Sequence, residues 1–160
     1  MNKIKNKKIL KLIMFFSLFV IFSAYFIEYI LGHKPCNLCF FERIPYLLSI
    51  VLIIISIVVN TLEKIVLMLL SLLFIFGLTI SLYHFGIEQG YFSESIICNL
   101  EKNGQNLSRA GLLEQLKETT VSCKDVTFRF FGLSLATINA IISLILSVIT
   151  IKLYLNYGKN

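Results

Sequence analysis

The sequence is poor in charge and lacks the short motifs by which many enzymes hold a cofactor. Only 15% of its 160 residues are charged, whereas 57% are hydrophobic; soluble domains usually carry about a quarter charged residues. It contains no Gly-x-Gly-x-x-Gly nucleotide motif and no Cys-x-x-Cys-His haem motif. These absences exclude an ordinary soluble domain, a Rossmann-type dinucleotide site and a c-type haem.

Four apolar segments approach the roughly 20 residues that a helix needs to cross a bilayer. No Ala-x-Ala-like cleavage site follows the first segment, whose apolar stretch exceeds the roughly 7–15 residues of a signal-peptide core. We therefore predict a retained helix there, with a cleaved leader as the alternative. The predicted fold is an all-α integral membrane protein, one domain over 1–160 with a four-helix transmembrane bundle. Its helices are predicted at about 9–31, 41–59, 65–85 and 132–155.

Basic residues collect before the first helix, with no acidic residue among them. They are Lys3, Lys5, Lys7, Lys8 and Lys11. Short basic flanks stay in the cytoplasm, so four spans predict that both termini are cytoplasmic, in agreement with Lys152 and Lys159. The outer loops then cover about 32–41 and 86–131. Because the net charge of +6 is placed in this uneven way, it indicates orientation in a lipid bilayer, and no nucleic-acid partner is predicted.

All four cysteines fall in the two predicted outer loops. Cys36 and Cys39 lie in the first loop, and Cys98 and Cys123 in the second. A bacterial periplasm permits disulfides, so we predict two pairs. A Cys-x-x-Cys ring is too small to gain much stability from chain entropy, which favours exchange over bracing. Zinc is the competing hypothesis, but the second pair is not closely spaced as Cys₄ sites require, so no metal is predicted. Cys98 with Cys123 could also be a structural disulfide.

The stretch "KPCNLCFFER", residues 34–43, places the first pair at a membrane interface. The second helix is too short to span unless it begins near Cys39, and Pro45 suits its first turn. A helix N-terminus and a guanidinium both favour thiolate over thiol, and Arg43 lies about one turn beyond Cys39. The alternative for Arg43 is an interfacial cation that only reaches the headgroups. A dithiol that becomes a disulfide releases two electrons, and a lipid-soluble quinone is an acceptor that needs no soluble binding domain.

These residues resemble the disulfide bond formation protein B (DsbB) family, quinone reductases that reoxidise the periplasmic thiol oxidase DsbA. "KPCNLCFFER" is similar to the family's Lys-Pro-Cys-x-x-Cys loop followed by Glu-Arg, and "CKDVTFRFFGLSLATINAI" resembles its stretch from the last cysteine into helix four. The resemblance covers nearly the whole chain and implies a bacterial inner-membrane location with periplasmic cysteine loops. Relatives often carry tryptophan in this region, and this chain has none.

The resemblance also implies an order of disulfide exchange. A DsbA-like partner attacks the Cys98–Cys123 disulfide at Cys98, and the released Cys123 attacks Cys36. Cys39 then leaves as the thiolate nearest the quinone, with Arg43 stabilising charge on thiolate and quinone. The quinone is ubiquinone or menaquinone, and the resemblance does not say which.

Three further predictions concern His84, Glu28 and residues 107–119. His84, in "SLYHFGIEQG", resembles a histidine that the family places near the quinone, and an ordinary interfacial histidine is the alternative. Glu28 is expected to reach the headgroups. Residues 107–119 carry an apolar stripe that predicts a short amphipathic helix, either on the outer leaflet or packed on the loop. Rival functions are a vitamin K epoxide reductase-like thiol–quinone enzyme and a membrane protein whose disulfides only brace its loops.

Overall fold

Long helices make up most of the described chain in the computed structural model. The structure describes residues 2–59, 62–94, 98, 122–124 and 128–157, with side chains from residue 7 onward. In chain order the elements are α1 (Asn2–Tyr29), α2 (Asn37–Phe41), α3 (Ile44–Val58), α4 (Glu63–Glu88), β1 (Arg129–Phe130), β2 (Leu133–Ser134) and α5 (Leu135–Leu155).

Within this described part of the chain, four stretches are long and apolar enough to cross a membrane. They are Lys7–Tyr29, Asn37–Val58, Glu63–Glu88 and Leu135–Leu155. Their outward faces carry exposed large apolar side chains such as Phe15, Phe19 and Phe22, as expected where lipid is the solvent. The chain is a multi-pass membrane protein with a four-helix bundle, and the predicted fold class is confirmed.

The bundle helices pack in the series α1, α3, α4, α5, and the contact between α4 and α5 is the most extensive. Small residues line these contacts, which is how helices approach closely in a membrane. Ser49 Oγ donates a hydrogen bond of 3.1 Å to Ser17 Oγ between α3 and α1. Gly77 of α4 lies against Pro45 of α3, where an added Cβ would come within 3.3 Å of the proline ring.

A buried polar network ties α3, α4 and α5 together. The Tyr46 hydroxyl donates to Asn139 Oδ1 and lies 3.2 Å from Ser143 Oγ. Asn139 Nδ2 in turn donates to Ser81 Oγ at 2.7 Å. Because each helix supplies a partner to the next, the network fixes how these three helices are rotated relative to one another.

The second span is not one continuous helix. The sequence predicted a helix from about residue 41, but α2 ends at Phe41 and α3 begins at Ile44. Pro45 has no backbone N–H, so it cannot donate the hydrogen bond to Phe41 that a helix continuous with α2 would need. Pro45 therefore occupies the first turn of α3, as predicted, while α2 forms a separate short turn that carries Cys39.

A small hairpin precedes the last helix, which the sequence predicted to begin near Gly132. Arg129 pairs with Ser134, and Phe130 pairs with Leu133. Positive φ angles of 51° at Phe131 and 82° at Gly132 suit a two-residue hairpin turn. Ser134 then accepts a hydrogen bond from Thr137 N–H at 3.2 Å, and this N-cap sets the start of α5 at Leu135.

The other predicted bounds differ at helix ends. α1 begins at Asn2 and ends at Tyr29, and α4 continues past residue 85 to Glu88, so His84 lies inside the helix and not at its end. The amphipathic helix predicted for 107–119 lies outside the described residues.

Candidate active site

The two cysteine pairs pack together at one end of the bundle. Cys98 and Cys123 form a disulfide, whereas Cys36 and Cys39 are free thiols. Cys36, Cys98 and Cys123 belong to one apolar cluster with Leu38 and Ile87, and Cys39 borders it. A disulfide and a dithiol therefore share one largely buried environment, although Cys98 follows Cys39 by 59 residues in the chain.

The first pair is built around the start of α2. Cys36 is the N-cap residue of this helix, and its sulfur accepts a hydrogen bond from Cys39 N–H at 3.3 Å. The two sulfurs are 2.9 Å apart. The pKa of the Cys36 thiol is lowered to about 4, chiefly because the Cys39 thiol donates to its thiolate; burial opposes this shift and His84 adds to it. In the reduced pair, Cys36 is thus the sulfur that carries negative charge.

His84 connects this sulfur to a buried carboxylate. Its Nε2 lies 3.5 Å from Cys36 Sγ, and its Nδ1 lies 2.9 Å from Glu42 Oε1. Glu42 is 7% exposed and His84 is 2% exposed. Since a carboxylate at one ring nitrogen fixes the orientation of the imidazole, the three residues form a Cys–His–Glu chain. A second carboxylate, Glu88, lies one helical turn after His84, with Oε1 3.9 Å from Nε2.

Arg43 forms an ion pair with a residue of α1. Its Nη1 donates to Glu28 Oε2 of α1 at 2.5 Å, and its guanidinium lies 4.9 Å from the centre of the Tyr25 ring. The expectation that Glu28 reaches the headgroups is therefore replaced by a partly buried ion pair. Among the described residues, the hydrogen-bond partner of Arg43 is this carboxylate and not a cysteine.

Two contacts position the segment that carries Cys123. Within the second loop, Glu94 Oε1 accepts hydrogen bonds from the Ser122 hydroxyl and from Lys124 N–H, the residues on either side of Cys123. Between the loops, the His33 ring packs on Phe128, with ring centres 5.2 Å apart. Cys123 itself packs in the apolar cluster that contains Cys36.

The structure brings five of the six predicted site residues together, namely Cys36, Cys39, Cys98, Cys123 and His84, and places the sixth, Arg43, beside α1. Sequence reasoning missed Glu42 and Glu88 as members of the site. Two signals were available: Glu42 is an acid at the start of an apolar helix, where an ionisable residue indicates function, and Glu88 is four residues after His84. The ligand atoms of Cys36, Cys39 and His84 also lie within 4.8 Å of one another, a spacing that suits a metal ion.

Comparison with known proteins finds a matching family model and a distant relative. The family model described as "Disulfide bond formation protein DsbB" matches residues 6–153. An uncharacterized protein of Rickettsia prowazekii (strain Madrid E) is 29% identical over 156 residues, which cover 96% of this chain and 90% of that protein. No solved structure gives a significant match.

Proposed function

Because the chain belongs to the disulfide bond formation protein DsbB family, and is therefore a membrane protein of disulfide-bond formation, we propose that it reoxidises a thioredoxin-fold dithiol oxidase and passes the electrons to membrane quinone. The setting proposed is the bacterial inner membrane, with both termini cytoplasmic and the cysteine loops periplasmic. The observation that carries the proposal is the shared cluster of a Cys98–Cys123 disulfide and a free Cys36–Cys39 dithiol.

The proposed relay consists of balanced thiol–disulfide exchanges. A partner thiolate attacks Cys98, which breaks the Cys98–Cys123 bond and releases Cys123. The second partner thiol resolves the mixed disulfide, so the partner is oxidised and the second pair is reduced. Cys123 attacks Cys36 of an oxidised first pair, Cys39 leaves, and Cys98 closes the loop disulfide again. Each round moves two electrons from the partner to the first pair.

The residues around the first pair fit a lipid-soluble quinone as acceptor. Arg43 supplies planar N–H donors close to the interface. The exposed rings of Phe40 and Phe41 are near Arg43 in the chain, and the exposed ring of Tyr25 lies against its guanidinium. Cys39 is the more exposed residue of the pair. A bound quinone supplies a two-electron acceptor that diffuses within the bilayer. Arg43 and Cys39 are the residues proposed to hold and face it, with His84 behind the dithiol.

His84 and Glu42 are proposed to manage the proton of the first pair. His84 Nε2 faces Cys36 Sγ, so the ring can take up the Cys36 proton and stabilise the thiolate that forms there when this pair is reduced. Glu42 holds Nδ1 and stabilises the ring when it carries that proton. Both side chains are almost fully buried, so the proton is held inside the protein and not exchanged directly with water.

The test of this function is oxidation of a reduced thioredoxin-fold partner by the purified protein, with ubiquinone and menaquinone analogues supplied separately. We expect many partner disulfides per chain when quinone is present, and consumption of one quinone for each partner oxidised. A protein whose disulfides only brace the loops gives no turnover with either quinone, and that result would contradict the proposal.

Replacing Arg43 should weaken the interaction with quinone even when the charge is kept. We expect Arg43→Ala to raise the KM for quinone about tenfold or more, since a hydrogen bond to a charged group contributes about 1.5–3 kcal/mol. Arg43→Lys should also raise it, because lysine offers a point charge and not a planar fork of donors. Steady-state kinetics with varied quinone measure this.

The matched control is Glu28→Gln, which removes the carboxylate that pairs with Arg43 and leaves the guanidinium in place. We expect a smaller rise in the KM for quinone, because the donor remains but is less firmly oriented. Equal KM values for wild type, Arg43→Lys and Arg43→Ala would indicate that Arg43 is only an interfacial cation and does not bind quinone.

A further inference from the structure

The same cluster that handles disulfide exchange also has the composition of a soft-metal site. Cys36, Cys39 and His84 present two sulfurs and one ring nitrogen within 4.8 Å of one another. Zinc and similar cations bind this set of ligands. A tetrahedral ion with bonds of about 2.3 Å to sulfur and 2.0–2.1 Å to nitrogen holds those two atoms roughly 3.6 Å apart, and the Cys36 Sγ–His84 Nε2 distance is 3.5 Å.

A buried carboxylate also lies beside His84, outside the group of three ligand atoms. The Glu88 side chain is 5% exposed, and its Oε1 lies 3.9 Å from His84 Nε2. Its Oε2 is buried without a hydrogen-bond partner in the described part of the chain. A cation held by the three ligands would favour the charged form of this carboxylate.

The hydrogen bond at the other ring nitrogen of His84 is also typical of a histidine that binds a metal. Histidines that bind metals usually donate their other ring nitrogen to a carboxylate, which fixes the tautomer and raises ligand basicity. Here the Nδ1 of His84 lies 2.9 Å from Glu42 Oε1. The orientation leaves Nε2 directed at the two sulfurs.

We infer that the reduced form of this protein binds one thiophilic divalent cation, such as Zn²⁺, through Cys36, Cys39 and His84, with a water molecule in the fourth position. Binding displaces the proton that the reduced pair still holds, forms two metal–sulfur bonds and involves no redox change. The sulfurs, now 2.9 Å apart, must separate to roughly 3.8 Å for tetrahedral geometry with Zn–S bonds of about 2.3 Å, and a small rotation of the Cys39 side chain provides this. The oxidised pair has no thiolate to offer, so the site exists only in the reduced state.

This proposal departs from the prediction that no metal is bound, and it does not depend on quinone being the acceptor.

The test is Zn²⁺ binding to purified protein in detergent, measured by calorimetry. The double variant Cys98→Ser, Cys123→Ser removes the second pair as a competing dithiol. It is reduced with a phosphine, desalted without oxygen and titrated with Zn²⁺, and a second sample is first oxidised with diamide. We expect one Zn²⁺ per chain in the reduced sample and at least about 100-fold weaker binding in the oxidised one. Co²⁺ gives a second readout, since thiolate coordination produces a visible absorption band.

Matched histidine variants locate the third ligand. In the same background, His84→Asn should weaken Zn²⁺ binding at least about tenfold and shift the Co²⁺ band. His33→Asn, at the other histidine of the chain, should change neither. Reduced protein that binds Zn²⁺ no better than its oxidised form would overturn the proposal. Equal affinity in the two histidine variants would overturn the assignment of His84. Neither readout uses quinone or the partner, so this proposal and the proposed function can fail separately.

Discussion

Chains carrying Cys36→Ser or Cys39→Ser are expected to oxidise one equivalent of the reduced partner and then stop. The Cys98–Cys123 disulfide is intact in both variants, so a single exchange with the partner can still occur. The next step needs one sulfur of the first pair to be attacked while the other leaves. With either sulfur missing, the electrons remain on the second pair and sustained quinone reduction is lost.

The measurement is the number of partner disulfides formed per chain, with quinone in excess. We expect about one for each serine variant and many for the wild type. A Cys98→Ser, Cys123→Ser protein is the matched control, and we expect it to form none, because Cys36, the sulfur to be attacked, is buried. Sustained turnover by either Cys36→Ser or Cys39→Ser would contradict the relay. Zero equivalents from both would show that the Cys98–Cys123 disulfide takes no part in exchange.

Replacing Cys123 with alanine should trap the partner on this protein. Cys98 is then a free thiol that can be captured by an oxidised partner as a mixed disulfide. The linkage should accumulate, because without Cys123 the Cys98–Cys123 disulfide cannot form again, and only the partner's own second thiol can release Cys98. Both cysteines pack in the cluster with Cys36, and Cys123 is the more buried of the two, 1% exposed against 6% for Cys98. The converse variant, Cys98→Ala, should therefore capture less partner.

Non-reducing gels of the two variants, each expressed with the partner, measure this asymmetry. A mixed disulfide that accumulates on Cys123 and not on Cys98 would reverse the two roles. If neither variant traps the partner while the wild type oxidises it, the second pair acts as a brace. A variant with alanine at both positions controls for linkage through Cys36 or Cys39.

Some features of this protein could be predicted because their signals lie along a single stretch of chain. An apolar run either reaches the length of a bilayer or does not, and the cluster of lysines before α1 can be recognised without any tertiary contact. The same is true of the Cys-x-x-Cys spacing and of Pro45 in the first turn of α3. Helix ends were less predictable, since a local cap such as Ser134 competes with an apolar pattern that continues on both sides of it.

The amino-acid sequence by itself therefore determined the four spans, and it predicted their orientation and the exchange chemistry of the cysteine loops. Only the tertiary structure decided which charged groups meet. Arg43 pairs with Glu28, fifteen residues away, and His84 lies between Cys36 and Glu42, more than forty residues earlier. These contacts depend on the rotation of each helix about its axis, which is set by packing and by buried polar networks such as Tyr46–Asn139–Ser81. An apolar helix in a membrane has little amphipathic pattern to reveal that rotation, because lipid-facing and core-facing side chains are similarly hydrophobic.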